Sequence, residues 1–211
     1  MSWSRTGGYP RSNWVFQEWP DGCSFWYEKV SCFINTAGNF IDQYDVLSYQ
    51  LSYLAVDSSS SINDESGGFF ADNPDLFDVF DQEVFESEHP EQIFIYWTTS
   101  LARGIGTQQS ETFNQRMREY AIRSGKPLFD VADILSHDPD GTRCYDNRDG
   151  RPYNNGNRSE DHPDDGVDWL AICPHYTSEI DGGHLGTVSA GKIRVAKAFW
   201  VLMAQIAGWS P

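Results

Sequence analysis

The sequence predicts an α/β domain, a three-layer α/β/α sandwich built on a mostly parallel sheet. Apolar runs dense in β-branched and aromatic residues recur at 44–56, 92–98 and 127–134. Such runs fit strands that are covered on both faces. Between and after them, apolar residues recur at helical spacing in 75–88, in 108–123 and from Ser189 onward. Strand and helix therefore alternate, which implies βαβ crossovers and a ligand site at the carboxyl ends of the strands. A length of 211 residues suits one domain with one hydrophobic interior.

Residues 1–40 are rich in Trp, Gly, Ser and Pro with weak periodicity, and read as an irregular N-terminal segment with a short helix near 25–34. Their aromatic residues Trp14, Phe16, Trp19, Phe25, Trp26 and Tyr27 read as core; a stacking site for a sugar or aromatic ester is the alternative. The run 44–56 is the first strand, and the Ser/Asp/Gly stretch 57–68 a surface loop. Spacing in 75–88 puts Leu76, Val79, Phe80, Val84 and Phe85 on one side of a helix. Residues 92–98 form the second strand, followed by a helix over 108–123 that Ser124-Gly125 stops. The third strand is 127–134. An acidic loop insertion occupies 136–180; its first part, 136–168, holds nine Asp/Glu, four Asn and four Arg without apolar period. The last helix starts at Ser189 as N-cap and ends at Gly208. It is expected to bury Ile193, Ala196, Phe199 or Trp200, Met203 and Ile206.

Fifteen basic and thirty-one acidic residues give a net charge of −16. That field repels phosphate backbones and anionic bilayers, so nucleic acid and membrane are excluded as expected partners. No apolar run reaches bilayer-spanning length. Cys23, Cys32, Cys144 and Cys173 form no CxxC pair and sit in loop-like sequence. Two disulfides are expected, with Cys23–Cys32 and Cys144–Cys173 as the local pairing and four reduced thiols as the alternative. Disulfides place the chain in a secreted or periplasmic setting, although the first residues show no apolar leader core.

Near the C-terminus stands Asp181-Gly-Gly-His184. A carboxylate three residues before a histidine fixes the imidazole tautomer and stabilises the imidazolium formed when histidine takes a proton from a nucleophile. The two glycines permit the tight turn this needs. Leu185 follows, then Ser189-Ala-Gly191 opens the amphipathic last helix. This block resembles the C-terminal block of SGNH/GDSL-type serine hydrolases, and the order of strands and helices over 44–208 is similar to theirs. The resemblance implies an SGNH-hydrolase-like (flavodoxin-like) fold and cleavage of an ester, with acyl or acetyl esters of carbohydrates among the candidates. It makes His184 the general base and Asp181 its orienting acid. The family's N-terminal Gly-Asp-Ser block is not found; the nearest serine beside glycines is Ser4, in Trp3-Ser-Arg-Thr-Gly-Gly8. Its Gly-x-Asn-Asp block is also missing, leaving Gln50, Ser52 and Tyr53 as candidate oxyanion donors. These departures support a second reading, a non-catalytic binding or assembly module on the same fold.

In the acidic loop, Asp138, Asp140, Asp146, Asn147 and Asp149 supply the closely spaced oxygens that a hard cation takes, so a structural Ca²⁺ is the expected cofactor. The alternative is a solvated loop whose carboxylates pair with Arg143, Arg148, Arg151 and Arg158. With Asp161 and Asp164, His162 makes a weaker case for a transition metal, with His175 nearby; His89 precedes Pro90. A metal-dependent hydrolase using this loop is a third reading.

Overall fold

The computed structural model describes residues 22–101, 107–148, 151–152, 167–178, 185–187 and 189–210. At its centre is a parallel sheet of β1 (Val46–Ser48), β2 (Ile93–Trp97) and β3 (Leu128–Phe129), in that order. Val46 pairs with Ile93 and Ser48 with Ile95, and on the other side of β2 Trp97 pairs with Phe129. Side chains alternate along a strand, and the two faces separate accordingly. Leu47, Phe94, Tyr96 and Leu128 join one hydrophobic cluster, while Val46, Ile95, Trp97 and Phe129 join the other.

The first cluster is closed by α1 (Trp26–Phe40), α3 (Val79–Glu88) and α4 (Gln108–Ser124). In α1, Trp26, Val30, Phe33 and Ala37 are buried one turn apart. The Glu28 carboxylate holds the helix start by accepting from the backbone N–H of Phe25 at 2.9 Å. Here the expectation of a mostly irregular 1–40 is corrected: 26–40 is a fifteen-residue helix, and residues 1–21 lie outside the described ones. Helix α4 matches its expected span and ends at Gly125 with φ +65°, a left-handed cap that suits glycine.

Two other boundaries and one helix face differ from expectation. The run 44–56 is a strand only over 46–48; Ser52 then caps a short helix, α2 (Tyr53–Asp57), its Oγ accepting from Ala55 N. The run 127–134 likewise breaks at Asp130, which caps α5 (Val131–Ser136). Both are short, mostly apolar runs with scattered polar residues, whose periodicity cannot separate a buried strand from a buried helix. On α3 the inward residues are Val79, Gln82, Phe85 and Glu86, whereas Val84 is 61% exposed.

The second cluster is covered by α5 and by α6 (Ser189–Ile206). Helix α6 spans what the sequence predicts, but its inward face is Val195, Ala198, Phe199, Leu202, Met203 and Ile206; Ile193 and Trp200 point outward. At Gly191 a Cβ would collide with the Tyr176 carbonyl, so glycine lets α6 lie against the 3₁₀ turn Pro174–Tyr176. A two-residue antiparallel pair, β4 (Asn147–Arg148) with β5 (Arg151–Pro152), stands apart.

All four cysteines are paired as expected, Cys23 with Cys32 and Cys144 with Cys173. Among the described residues, no helix is long and apolar enough to cross a membrane.

Candidate functional site at the carboxyl edge of the sheet

The strands finish at Ser48, Trp97 and Phe129, and beyond each the chain turns polar. After β1, Gln50 Nε2 donates to the Thr98 carbonyl at 3.1 Å. After β2, Thr98 and Thr99 are fully buried. Thr98 Oγ1 donates to Asp130 Oδ1 at 3.0 Å and accepts from Ala132 N at 3.0 Å. The Thr99 amide donates to Asn114 Oδ1 at 2.8 Å. After β3, Asp130 receives both Arg118 Nε at 2.6 Å and Arg118 Nη2 at 3.1 Å. Its Oδ1 also accepts from Asp133 N at 3.1 Å, which starts α5.

Thr98 and Asp130 therefore tie the three strand ends into one network. Burial by itself disfavours the Arg118 guanidinium, but the paired Asp130 carboxylate outweighs it and holds the Arg118 pKa above its ordinary value. A bidentate, half-buried pair of this kind fixes geometry as well as charge. Asp57 secures the entry to α4, accepting from Thr107 Oγ1 at 2.5 Å and Ser110 Oγ at 2.6 Å. Sequence reasoning missed Thr98, Arg118, Asn114 and this role of Asp130. The one available signal was the Asp130-x-x-Asp133 spacing, a helix-capping pattern that the apolar surroundings disguised as strand.

Helix α6 brings the C-terminal block to the same region. The Phe199 ring packs on Trp97 and Phe129, with centroids 5.6 and 5.3 Å away. Arg194 Nε donates to the Ile134 carbonyl at 2.6 Å, and its guanidinium lies over the Tyr176 ring. Thr187 N donates to Ser178 Oγ at 2.7 Å, so the residues on either side of 179–184 are joined. Asp181 and His184 themselves lie outside the described residues, as does Ser4.

The candidate oxyanion donors have structural duties. Gln50 spends its amide N–H on Thr98, Ser52 Oγ caps α2, and Tyr53 is buried in α2. A Ser/His/Asp grouping does exist at Ser136, His137 and Asp133, but it is not a triad. Ser136 Oγ lies 3.1 Å from His137 Nδ1, and the Asp133 carbonyl and carboxylate approach that same nitrogen at 3.0 and 3.4 Å. A relay needs the acid and the nucleophile on opposite ring nitrogens, and Ser136 is fully buried.

In the acidic loop, residues 137–143 form a hairpin closed by Asp138 N to the Thr142 carbonyl at 2.8 Å, with Gly141 at φ +88°. Asp140 Oδ1 accepts from Thr142 N at 2.9 Å, and this bond keeps its carboxyl below the ordinary carboxylate range. Asp146 is buried, and its Oδ1 accepts from Trp169 N at 3.0 Å. Asp138 Oδ1 faces His175 Nδ1 at 3.2 Å. The side chains of Asn147 and Asp149, together with Asp161, His162 and Asp164, fall outside the described residues. Among the described residues, the grouping of ligand atoms tight enough for a metal is Asp138 with Cys144 and Cys173. Those two sulfurs are joined in a disulfide, which removes them as thiolate ligands. Compared with known proteins, the chain matches no family model, no curated sequence and no solved structure.

Proposed function

We propose that the chain is an SGNH-type hydrolase of ester bonds, with acyl or acetyl esters of carbohydrates as its substrate class. The observation that carries this reading is positional. The helix following Asp181-Gly-Gly-His184 packs on Trp97 and Phe129, the last residues of two parallel strands, at the end where such sheets hold ligands. In this reading His184 takes the proton of the attacking serine, and Asp181 orients the imidazole and stabilises its cation. Ser4 is the serine that the sequence offers. The tied strand ends at Thr98 and Asp130 supply a rigid base for the site. The amides of Thr99, Ala132 and Asp133 are spent within that network, so in this reading other backbone N–H groups stabilise the oxyanion.

A non-catalytic binding or assembly module is the second reading, favoured by the structural commitments of Gln50 and Ser52. Labelling with a fluorophosphonate probe and peptide mapping separates the two. The hydrolase reading expects one modified serine, absent from His184→Ala, and release of p-nitrophenol from a short-chain ester by the wild type alone. Folded wild type that takes no label and hydrolyses no faster than His184→Ala leaves the module. A structural Ca²⁺ in the acidic loop belongs to either reading, on the oxygen-rich sequence around Asp138 and Asp140. It expects a melting temperature raised by Ca²⁺ and lowered by EDTA; a melt indifferent to both removes the ion.

A further inference from the structure

Two surfaces of opposite character share no residue with the strand-end network. The first is a groove of about 560 Å³ between the 72–78 loop and α3. Asp72, Asp75, Asp81 and Glu83 line it without any lysine or arginine. Phe77 and Val84, also in its wall, are 44% and 61% exposed. Large apolar side chains left open beside carboxylates suit an occupant that is apolar and positively charged.

The second is the solvent face of α6. Ile193, Trp200 and Val201 are 49%, 63% and 43% exposed. Lys197 sits between them at helical spacing, four residues after Ile193 and four before Val201. From residue 182 to the end, the sequence carries Lys192, Arg194 and Lys197 and no acidic side chain, in a chain whose net charge is −16. An acidic chain thus presents one basic, apolar helix face.

We infer that the acidic groove beside α3 is a docking site for the α6 face of a second copy of this chain. Phe77 and Val84 would meet Ile193 and Trp200, and Lys197 would enter among the groove carboxylates. Helix α3 packs on one face of the sheet and α6 on the other, so no chain fills its own groove. The contact is head-to-tail, and it grows with concentration into rings or short chains. Its charge component weakens as salt rises.

Sedimentation velocity on the full chain tests this. At an ionic strength of about 0.15 M, which screens the mutual repulsion of two chains of net charge −16, the weight-average sedimentation coefficient is expected to climb up to about 200 µM, the range of weak transient contacts, and to fall back at about 1 M salt. K197E and D75K, both at exposed positions, are each expected to weaken association about tenfold while circular dichroism stays unchanged. The double charge swap, K197E with D75K, restores it. A wild type that stays monomeric throughout overturns the inference. So does association that K197E leaves intact, or a double swap no better than either single variant.

Discussion

The two faces of the sheet are held by different means. On the α1/α3/α4 side the interior is a continuous aromatic array. Trp26, Phe69 and Phe113 are each 1% exposed and pack with Phe33, Phe94, Tyr96 and Tyr120. On the α5/α6 side Ile95, Leu135, Ile172 and Cys173 are buried, yet every side chain that α6 contributes is only half-buried. There the Cys144–Cys173 bond and the Arg194 contacts do part of what area does opposite. Desolvation dominates the first layer, which the Cys23–Cys32 bond also staples; the second leans more on its cross-link and leaves apolar side chains of α6 exposed.

The sharpest way to break that contrast is to truncate one aromatic on each face. Phe113→Ala leaves a large cavity in the closed layer and is expected to cost about 4 kcal/mol in urea unfolding. Trp200→Ala, outward on α6, is expected to stay within about 0.5 kcal/mol. Comparable losses would mean that α6 is as enclosed as the opposite layer.

Removing the disulfides comes next. Cys144–Cys173 closes a separation of 29 residues and Cys23–Cys32 one of 9. Loop-closure entropy then assigns about 3.5 kcal/mol to the first and about 2.5 to the second. Cys-to-Ser double variants compared by denaturant midpoint should follow that order, and the reverse would show that the second face does not lean on its cross-link.

The aromatic layer also encloses a polar cluster. The Glu86 carboxylate accepts from Tyr96 Oη at 2.6 Å and Gln82 Nε2 at 2.9 Å, and pairs with Lys126. Burial first, and Glu86 second, push the Tyr96 phenol well above its ordinary pKa, so it remains a donor. Lys126→Met strands a buried carboxylate and is expected to cost about 2–3 kcal/mol; Lys126 is partly open to water, which places the loss below that of a fully buried pair. A neutral result by thermal melting would mean that the tyrosine and amide donors suffice.

The smallest effect is a cap. Asp78 Oδ1 accepts from Phe80 N at 2.7 Å, and Oδ2 from Asn73 N at 2.8 Å. Asp78→Ala should cost about 1 kcal/mol. Desolvation nonetheless raises the Asp78 pKa above its ordinary value, outweighing these N–H bonds. The folded state therefore holds this proton more tightly than the unfolded chain. The contribution of Asp78 to stability falls as pH rises from the ordinary carboxylate value through the raised one. The stability gap between wild type and Asp78→Asn should narrow over that window; a gap that widens there reverses the sign.

Much of the architecture could be read from the chain because local chemistry and tertiary packing agree. In α4 the periodic face and Gly125 mark the span, and in α6 Ser189 and Gly208 do. The alternation of β2 sends Phe94 and Tyr96 one way and Ile95 and Trp97 the other. Cysteine spacing predicted both disulfides. The misreadings fall where local patterns are degenerate. The run 44–56 is mostly apolar with scattered polar residues, and the bonds of Gln50 to Thr98 and of Ser52 to Ala55 mark where its strand has ended. Helix α1 contains Asn35, Thr36, Gly38 and Asn39, poor helix formers; burying Trp26, Phe33 and Ala37 outweighs them.

For the site, the sequence by itself determined the acid–histidine spacing at Asp181 and His184, the carboxylate excess and the even number of cysteines, because each is written in residue type and short-range distance. Tertiary structure alone decided that Thr98, Asn114, Arg118 and Asp130 meet at the strand ends, and that Glu86 faces inward while Val84 faces out. Such contacts join residues tens of positions apart. They are selected by burial and hydrogen-bond satisfaction in the folded interior, and neither quantity exists along an unfolded chain.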